Sequence, residues 1–160
     1  MKQIILTQGK VALVDDLDYE YLINWKWHAC KGGRTFYAAR SIIVNNTYVK
    51  VTMHRQILQH IDNKNVIDHI DHDGLNNQRV NLREATHSQN GANRRSHINS
   101  SSKYLGVFYC KKRRRWKAEV KKENKTYFLG WFKNEDLAAL AYNNKAHELF
   151  NDYSNKNIIK

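Results

Sequence analysis

The sequence predicts an α+β protein: a β-rich N-terminal segment leads into a small strand–loop–strand–helix unit, followed by three antiparallel strands packed on one helix. Short apolar runs that alternate with polar residues and end at turn residues predict the strands. Thr86 and Asn134, each directly before a helical pattern, predict where two helices begin. The 160 residues, 41% of them hydrophobic, suffice for one or two small folded cores. The predicted parts are 1–52, 53–96, a linker at 97–103, and 104–160.

The N-terminal segment has the pattern of a small β-rich platform. Apolar residues alternate on both sides of a turn at Gly9 and Lys10, which predicts a hairpin. For Trp25 and Trp27, packing in a core is favoured over stacking on nucleic-acid bases. The other predicted elements are a helix within 15–25, strands at 27–31, 35–40 and 48–52, and an amphipathic helix at 53–61.

The stretch 66–95 carries the residues on which the function depends. Asp68 and His69 follow a short apolar run and precede a polar loop with a turn signal at Asp73 and Gly74. A second extended piece, 82–85, comes next, and the capping-box spacing that starts at Thr86 predicts a helix at 87–95. About thirty residues cannot bury a core alone, but they can hold three polar groups around one ion.

This stretch resembles the HNH nucleases, whose ββα-metal fold hydrolyses DNA phosphodiesters with one divalent ion. By this resemblance Asp68 matches the carboxylate metal ligand, and His69 matches the general base. Asn81 matches the asparagine that ties the loop so that His69 is correctly oriented. Asn90 matches the second metal ligand, which makes this the HNN variant, and His87 is a competing candidate three residues earlier.

These residue types suit phosphodiester hydrolysis. An imidazole with a pKa near its usual value of about 6.5 can take a proton from water at neutral pH. Two oxygen ligands leave positions open for water and phosphate, which favours Mg²⁺ or Mn²⁺ over Zn²⁺ as the single divalent ion. Two alternatives stay open: the loop is only a solvated turn, or Asp71, His72 and Asp73 form a rival metal site, although contiguous turn residues rarely converge on one ion.

The charge of the chain points to a polyanionic partner. The formal net charge is +12, and nucleic acid is favoured well ahead of acidic lipid. Residues 1–50 carry a net +3, residues 51–95 a net +1 and residues 96–160 a net +8, which suggests a nearly neutral catalytic part joined to a basic grip. With no apolar run long enough for a membrane span and no signal-peptide pattern, we expect a cytoplasmic protein of a bacterial or phage-infected cell. Cys30 and Cys110 lie far apart, which indicates free thiols and not a zinc knuckle.

The C-terminal part predicts a three-stranded sheet backed by a helix. The three extended runs are 104–110, 115–121 and 126–132, and in the middle run charged and apolar residues alternate with a period of two. Asn134 is the expected N-cap of the helix, and Trp116 and Trp131 are expected in the core. The apolar stripe predicted to cover the sheet consists of Ala138, Ala141, Tyr142, Ala146, Leu149 and Phe150.

This part resembles the ethylene-responsive-factor (Apetala-type) DNA-binding domain, which is also found appended to HNH nucleases. The resemblance implies that the sheet lies in the major groove of DNA and that the helix backs it. Leu105 and Phe108 stand where plant members have arginine, so base contacts made there are not carried over. The matching positions are Tyr104, Gly106, Val107, 116–120, 129–132 and 138–142.

Several basic residues are candidates for DNA contact. In the middle strand, Arg115, Lys117, Glu119 and Lys121 project from the predicted sheet face and are candidates for base edges. Two interpretations of His54 and Arg55 are equally favoured. In one, His54 lies near the site and Arg55 contacts a phosphate; in the other, both are surface residues at the start of a helix. The candidates for phosphate contact are Arg94, Arg95, Lys111, Lys112, Arg113, Arg114 and Arg115.

The sequence therefore predicts a metal-dependent endonuclease of HNH homing type that nicks or cuts double-stranded DNA. We expect a monomer or weak dimer that needs no small-molecule cofactor and no membrane. Two other classes stay open: a DNA-binding or regulatory protein with an inactive HNH site, and a basic RNA-associated or structural protein.

Overall fold

The computed structural model describes residues 1–59 and 64–159. Backbone contacts divide the chain into two compact units, Met1–Ala85 and Thr86–Lys160. Both combine short antiparallel sheets with helices, so the predicted α+β class is confirmed. This division differs from the predicted parts, whose boundaries stay predictions. No helix among the described residues is long and apolar enough to cross a membrane.

The described residues of the first unit form three small antiparallel sheets, in which β1 pairs with β2, β4 lies between β3 and β5, and β6 pairs with β7. The elements are β1 (Lys2–Ile5), β2 (Val11–Val14), α1 (Asp16–Leu22), β3 (His28–Gly32), β4 (Thr35–Val44), β5 (Thr47–Thr52), α2 (Met53–Ile57), β6 (Val66–His69) and β7 (Leu82–Ala85).

Strand β4 and helix α2 differ most in length from the prediction. Strand β4 continues four residues past Arg40, because positive φ angles at Asn45 and Asn46 form a tight turn that pairs it with β5. Helix α2 ends at Ile57, short of the predicted 53–61, and residues 60–63 of that range lie outside the described part of the chain.

One hydrophobic core joins the N-terminal platform to the β6–β7 hairpin. Val14, Leu22 and Met53 are fully buried, and Ile67 and Leu82 of the hairpin pack in the same cluster. The core packing predicted for Trp27 is confirmed, because its ring is 2% exposed and its indole N–H donates to the Leu22 carbonyl at 2.9 Å. Trp25 packs against the cluster from its edge. The hairpin is therefore folded as part of the platform.

The second unit contains the predicted three-stranded sheet, with β9 between β8 and β10 and α4 packed on one face. Asn134 is the predicted N-cap, and its side chain accepts bonds from the backbone N–H of Asp136 at 2.6 Å and Leu137 at 3.3 Å. The elements are α3 (His87–Ala92), β8 (Val107–Cys110), β9 (Arg115–Lys122), β10 (Lys125–Phe132) and α4 (Glu135–Phe150).

Strand β8 begins three residues later than predicted because of Gly106. Its φ of +72° lies in the left-handed region, which interrupts the extended chain there. A Cβ at this position would overlap the ring of Tyr142 and lie 2.7 Å from the carbonyl oxygen of Glu119. The glycine therefore allows close approach of the first strand, the middle strand and α4.

Candidate active site

Asp68 and His69 are the last two residues of β6, and both are buried, at 5% and 6% exposure. The antiparallel register pairs Asp68 with Arg83 and His69 with Leu82 of β7. The hairpin therefore brings together residues that lie about fifteen positions apart in the chain. Leu82, like Ile67, belongs to the core, so the strands that carry both polar side chains are held by apolar packing.

An ion pair with Arg83 accompanies the buried carboxylate of Asp68. The Nε and Nη2 atoms of Arg83 donate to Oδ2 of Asp68 at 3.0 and 2.8 Å, and the arginine side chain is only 15% exposed. A buried carboxylate needs a compensating charge, and the guanidinium supplies it. Sequence reasoning missed Arg83. The signal available was its place opposite Asp68 in the predicted strand pair.

Two aromatic rings surround the imidazole of His69. The ring of His54 meets it edge-on with centroids 4.9 Å apart, and the ring of Tyr37 lies 5.7 Å from both histidines. His54 itself is buried, and its Nε2 lies 3.0 Å from the hydroxyl of Thr52. Of the two interpretations open for His54, the structure thus supports a place beside the site. Tyr37 was not predicted, because no local pattern marks it.

The pKa of the His69 imidazole is lowered from its ordinary value. Burial is the largest cause, because it disfavours the charged ring. The polar side chain of the fully buried Asn77 and the negative charges of Asp71, Asp68 and Asp73 act in the opposite direction and only partly offset it. The neutral imidazole, which can accept a proton, is therefore favoured more than the sequence alone suggested.

Asn81 holds the loop that follows His69. Its Oδ1 accepts from the backbone N–H of Asp71 at 3.0 Å, and its Nδ2 donates to Oδ1 of Asp71 at 2.9 Å and to the carbonyl of Asn76 at 2.8 Å. Its own carbonyl accepts from the N–H of Ile70 at 3.0 Å. One buried asparagine thus fixes both ends of the loop segment 70–76.

The carboxylate of Asp71 organises this loop from within. Besides Asn81, it accepts bonds from Nδ2 of Asn76 at 2.7 Å and from the backbone N–H of Asp73 at 2.8 Å. Burial acts to raise the pKa of Asp71, but these hydrogen bonds outweigh it and the pKa is lowered. Within residues 1–59 and 64–159, no three His, Cys, Asp or Glu side chains are placed to hold a metal ion, so the rival site at Asp71, His72 and Asp73 does not form.

The N-terminal platform forms hydrogen bonds with the loop that follows His69 at two places. The backbone of Leu13 in β2 accepts from the N–H of Asn77 at 2.8 Å and donates to the carbonyl of Leu75 at 2.9 Å. The N–H of Gly74 donates to the hydroxyl of Thr35 at 3.0 Å. Only glycine fits there, because a Cβ at Gly74 would lie 2.6 Å from both the Phe36 carbonyl oxygen and the Tyr37 ring.

Helix α1 anchors the turn that leads into Asn81. Arg79 donates from Nε and Nη2 to the two carboxylate oxygens of Asp18 at 2.8 and 2.7 Å, and its backbone N–H donates to Asp15 at 2.7 Å. Asp18 is buried, whereas the arginine side chain is 43% exposed. Sequence reasoning did not find this pair, because its members are 61 positions apart.

The capping box predicted at the start of α3 is confirmed. Gln89 donates its backbone N–H to the hydroxyl of Thr86 at 3.2 Å, and the Thr86 N–H donates to the Gln89 side chain at 2.8 Å. Asn90 is exposed on this helix. Because Asn90 belongs to the second unit and Asp68 to the first, their shared role as metal ligands stays a prediction.

The expected helical position of Arg94 and Arg95 is wrong. Helix α3 ends at Ala92, and the buried Asn93 caps it, so both arginines follow the helix and are exposed. Arg94 lines a cavity of about 160 Å³ within the second unit, together with His97 and Lys121. Arg55 lies in α2 next to His54 and is half-buried.

The alternation predicted for the middle strand is confirmed. Ala118 and Val120 are buried against α4, whereas Lys117, Glu119 and Lys121 point to the opposite face, with Lys117 and Glu119 in an ion pair. Trp116 lies on the same face as Ala118, and Arg115 lies on the same face as Lys117. The exposed turn 111–114 carries Lys111, Lys112, Arg113 and Arg114.

The core position expected for Trp131 is wrong. Trp131 lies opposite Lys117 in the sheet, with the guanidinium of Arg113 at 5.0 Å from its ring. A register shift between Phe128 and Gly130 turns Trp131 to this outer face. Trp116, in contrast, packs against the core as predicted.

Comparison with known proteins assigns one family both to the segment that contains the β6–β7 hairpin and to the chain as a whole. The family described as HNH endonuclease matches residues 57–92, which include Asp68, His69, Asn81 and Asn90. A protein of Acanthamoeba polyphaga mimivirus, named as an uncharacterised HNH endonuclease, is 31% identical over 157 residues, which cover 95% of this chain and 77% of that protein. No solved structure matches the chain. The chain is a nuclease that belongs to the HNH endonuclease family.

Proposed function

We propose that the protein is a metal-dependent DNA endonuclease of homing type, which nicks or cuts phosphodiester bonds in double-stranded DNA. The observation that carries the proposal is the buried Asp68–His69 pair, followed by a loop that Asn81 holds through three side-chain hydrogen bonds. A general base works only when its ring is fixed relative to the substrate, and this loop begins directly after His69.

In this proposal His69 accepts the proton of the attacking water. Its lowered pKa keeps the ring neutral at physiological pH, the form that can accept a proton. Asn81 is a positioning residue, because its contacts are to the loop backbone and to Asp71. The rings of His54 and Tyr37 pack against the His69 ring and limit its rotation.

Asp68 and Asn90 are the proposed ligands of one Mg²⁺ or Mn²⁺. Both offer hard oxygen donors, and a set of only two protein ligands is typical of Mg²⁺ sites that also bind substrate phosphate. When bound, the ion supplies Lewis-acid stabilisation of charge on the phosphate and the leaving oxygen. Asp68 fits this role because it is buried directly beside the proposed base. Arg83 holds its carboxylate in a fixed orientation.

The second unit is the proposed DNA grip, as its resemblance to the Apetala-type domain implies. Arg115, Lys117, Glu119 and Lys121 lie on the face of the sheet that α4 leaves uncovered. The proposed phosphate contacts are Arg55, Arg94, Arg95, Lys111, Lys112, Arg113, Arg114 and Arg115. We propose that the protein works as a monomer or weak dimer, in which each site cuts one strand.

One observation favours a second candidate, a DNA-binding or regulatory protein with an inactive HNH site. The proposed metal ligand Asp68 is already in an ion pair with Arg83, and a cation on a carboxylate competes with a metal ion for the same oxygens. The two candidates differ in whether DNA is cut at all.

Relaxation of supercoiled plasmid tests this difference. Purified protein is incubated with plasmids that carry varied natural sequences, in Mg²⁺, in Mn²⁺ or in EDTA. The endonuclease proposal predicts nicked or linear plasmid with either metal and intact plasmid in EDTA. Plasmid that shifts in mobility but stays supercoiled under all three conditions would favour the inactive-site candidate, and cutting in EDTA would refute metal dependence.

A further inference from the structure

The outer face of the β8–β9–β10 sheet is the surface opposite α4, and it carries exposed phenylalanines at its centre. Phe108 of β8 lies opposite Lys117, and Phe128 of β10 lies opposite Glu119. The two rings are 42% and 54% exposed, whereas the valine and alanine residues of β8 and β9 are buried on the face that packs against α4. Two such rings flanking the middle strand form an apolar surface that folding alone does not require.

Charge on this face is arranged around the two rings. Lys117 and Glu119, between the phenylalanines, form an ion pair and cancel each other. Further positive charge lies toward the ends of the strands, on Arg113 above the Trp131 ring and on the exposed Lys121. The face therefore has a nearly neutral, apolar centre and a cationic rim.

This arrangement matches duplex DNA in its charge and in its apolar features. A cationic rim fits the phosphates on either side of a groove, whereas an apolar protein partner would gain nothing from it. Along the base edges of a duplex, the apolar group that projects into a groove is the C5-methyl of thymine, and it projects into the major groove.

We propose that Phe108 and Phe128 read thymine methyl groups in the major groove, so that the target contains thymine opposite this face. The inference rests on the proposed DNA contact of the second unit and adds a base preference to it. Lys117 and Glu119 can bond the neighbouring guanine or cytosine edges, but their mutual ion pair reduces that readout.

The magnitude expected follows from burial of one methyl group. A buried CH₂-sized group corresponds to about a fourfold change in affinity at 25 °C. Two methyl contacts, one to each phenylalanine, therefore predict roughly a fifteenfold preference for thymine over its demethylated analogue, uracil.

The experiment uses full-length protein in EDTA, which prevents cutting in the proposed mechanism. Duplexes that bind are selected from a random-sequence pool. A selected duplex is then compared, by fluorescence anisotropy, with the same duplex in which deoxyuridine replaces thymidine. We expect binding to the deoxyuridine duplex to be about four- to fifteenfold weaker.

Substitutions assign the effect to the two rings. Phe108→Ala and Phe128→Ala should each weaken binding to the thymidine duplex and leave the deoxyuridine duplex unchanged, so that the ratio between the two duplexes shrinks. Leu140→Ala is the matched control, because Leu140 is a similarly exposed apolar residue on α4. This control should keep the full ratio.

The outcomes separate this inference from the proposed function. Tight duplex binding with equal affinity for both duplexes, or a selected consensus without thymine, would overturn the methyl readout and leave the endonuclease proposal standing. Failure to bind any duplex would overturn both the readout and the proposed DNA grip. A ratio that survives the double substitution of Phe108 and Phe128 would assign the readout to other residues and overturn the inference.

Discussion

The imidazole of His69 is subject to two opposed effects. Burial between the hairpin, His54 and Tyr37 disfavours its protonated form, whereas three nearby carboxylates and Asn77 favour it. Burial has the larger effect, so the pKa is lowered. For a base that must be neutral to accept a proton, this shift moves the loss of activity toward more acidic pH.

The first prediction follows from this shift. Protonation of His69 should inactivate the enzyme as pH falls, and because its pKa is lowered, the acidic midpoint of single-turnover cleavage should lie below about 6.5. The measurement is the cleavage rate between pH 4.5 and 8 at saturating metal, with DNA affinity followed in parallel. A midpoint at or above the ordinary histidine value would contradict the assigned cause.

Among single residues, sequence reasoning could identify those that belong to a local motif with characteristic spacing. Sequence reasoning singled out Asp68, His69 and Asn81, and the structure places the first two at the end of β6 and Asn81 directly before β7. Tyr37 and Asn77 were missed. Tyr37 reaches His69 from the distant strand β4, and Asn77 is one of several asparagines in a polar loop, so neither has a local signature.

Among the elements, helix α1 contacts the turn before Asn81 through the ion pair of Asp18 with Arg79. Asp18 receives two bonds from Arg79, and the turn that Arg79 begins ends at Asn81. The carboxylate is buried while the guanidinium is partly exposed, so the pair contributes less than a fully buried one. The platform thereby stabilises the loop-holding asparagine from outside the hairpin.

The second prediction concerns this pair. Asp18→Asn removes the buried negative charge opposite Arg79 and should lower the free energy of unfolding by about 1–2 kcal/mol, after allowance for the exposed arginine. Cleavage should fall as well, because Asn81 loses its anchor. Urea denaturation and single-turnover cleavage measure the two effects.

Glu20→Gln on the same helix is the matched control. Its ion pair with Lys2 is exposed, so its loss should change stability much less and leave cleavage unchanged. Equal effects of the two substitutions would show that Asp18 does not act through Arg79.

Helix starts were predicted more accurately than helix ends. Thr86 and Asn134 cap their helices through bonds to residues two or three positions away, so short sequence patterns identify them. The end of α3 at Ala92, short of the predicted Arg95, depends on tertiary contacts: the Ala92 and Arg94 carbonyls both accept bonds from Asn155, which no local pattern reveals.

At the scale of the whole molecule, positive charge is concentrated in the part of the sequence that follows the β6–β7 hairpin and α3. Residues 96–160 carry a net +8 of the total +12. Phosphate contacts release counterions, so the salt dependence of binding reports how many of these charges contact DNA. The charge distribution therefore predicts that the salt dependence of affinity arises mainly in the second unit.

The third prediction tests that distribution. Exchanging Lys111 and Lys112 of the exposed turn for glutamine should reduce the slope of log affinity against log salt by about 1.8, roughly 0.9 for each phosphate contact. The charge-matched control exchanges Lys26 and Lys31, which are exposed in the first unit, and should leave the slope nearly unchanged. Equal losses from both pairs would indicate attraction by net charge alone.

The most direct test of the account is cleavage by His69→Ala beside His87→Ala, with DNA affinity measured for both. His69 is buried beside Asp68, whereas His87 is exposed at the start of α3. The account predicts that His69→Ala abolishes metal-dependent cleavage and keeps DNA affinity nearly intact, while His87→Ala keeps both. Cleavage that survives in His69→Ala, or is lost in His87→Ala instead, would contradict the assignment of the base.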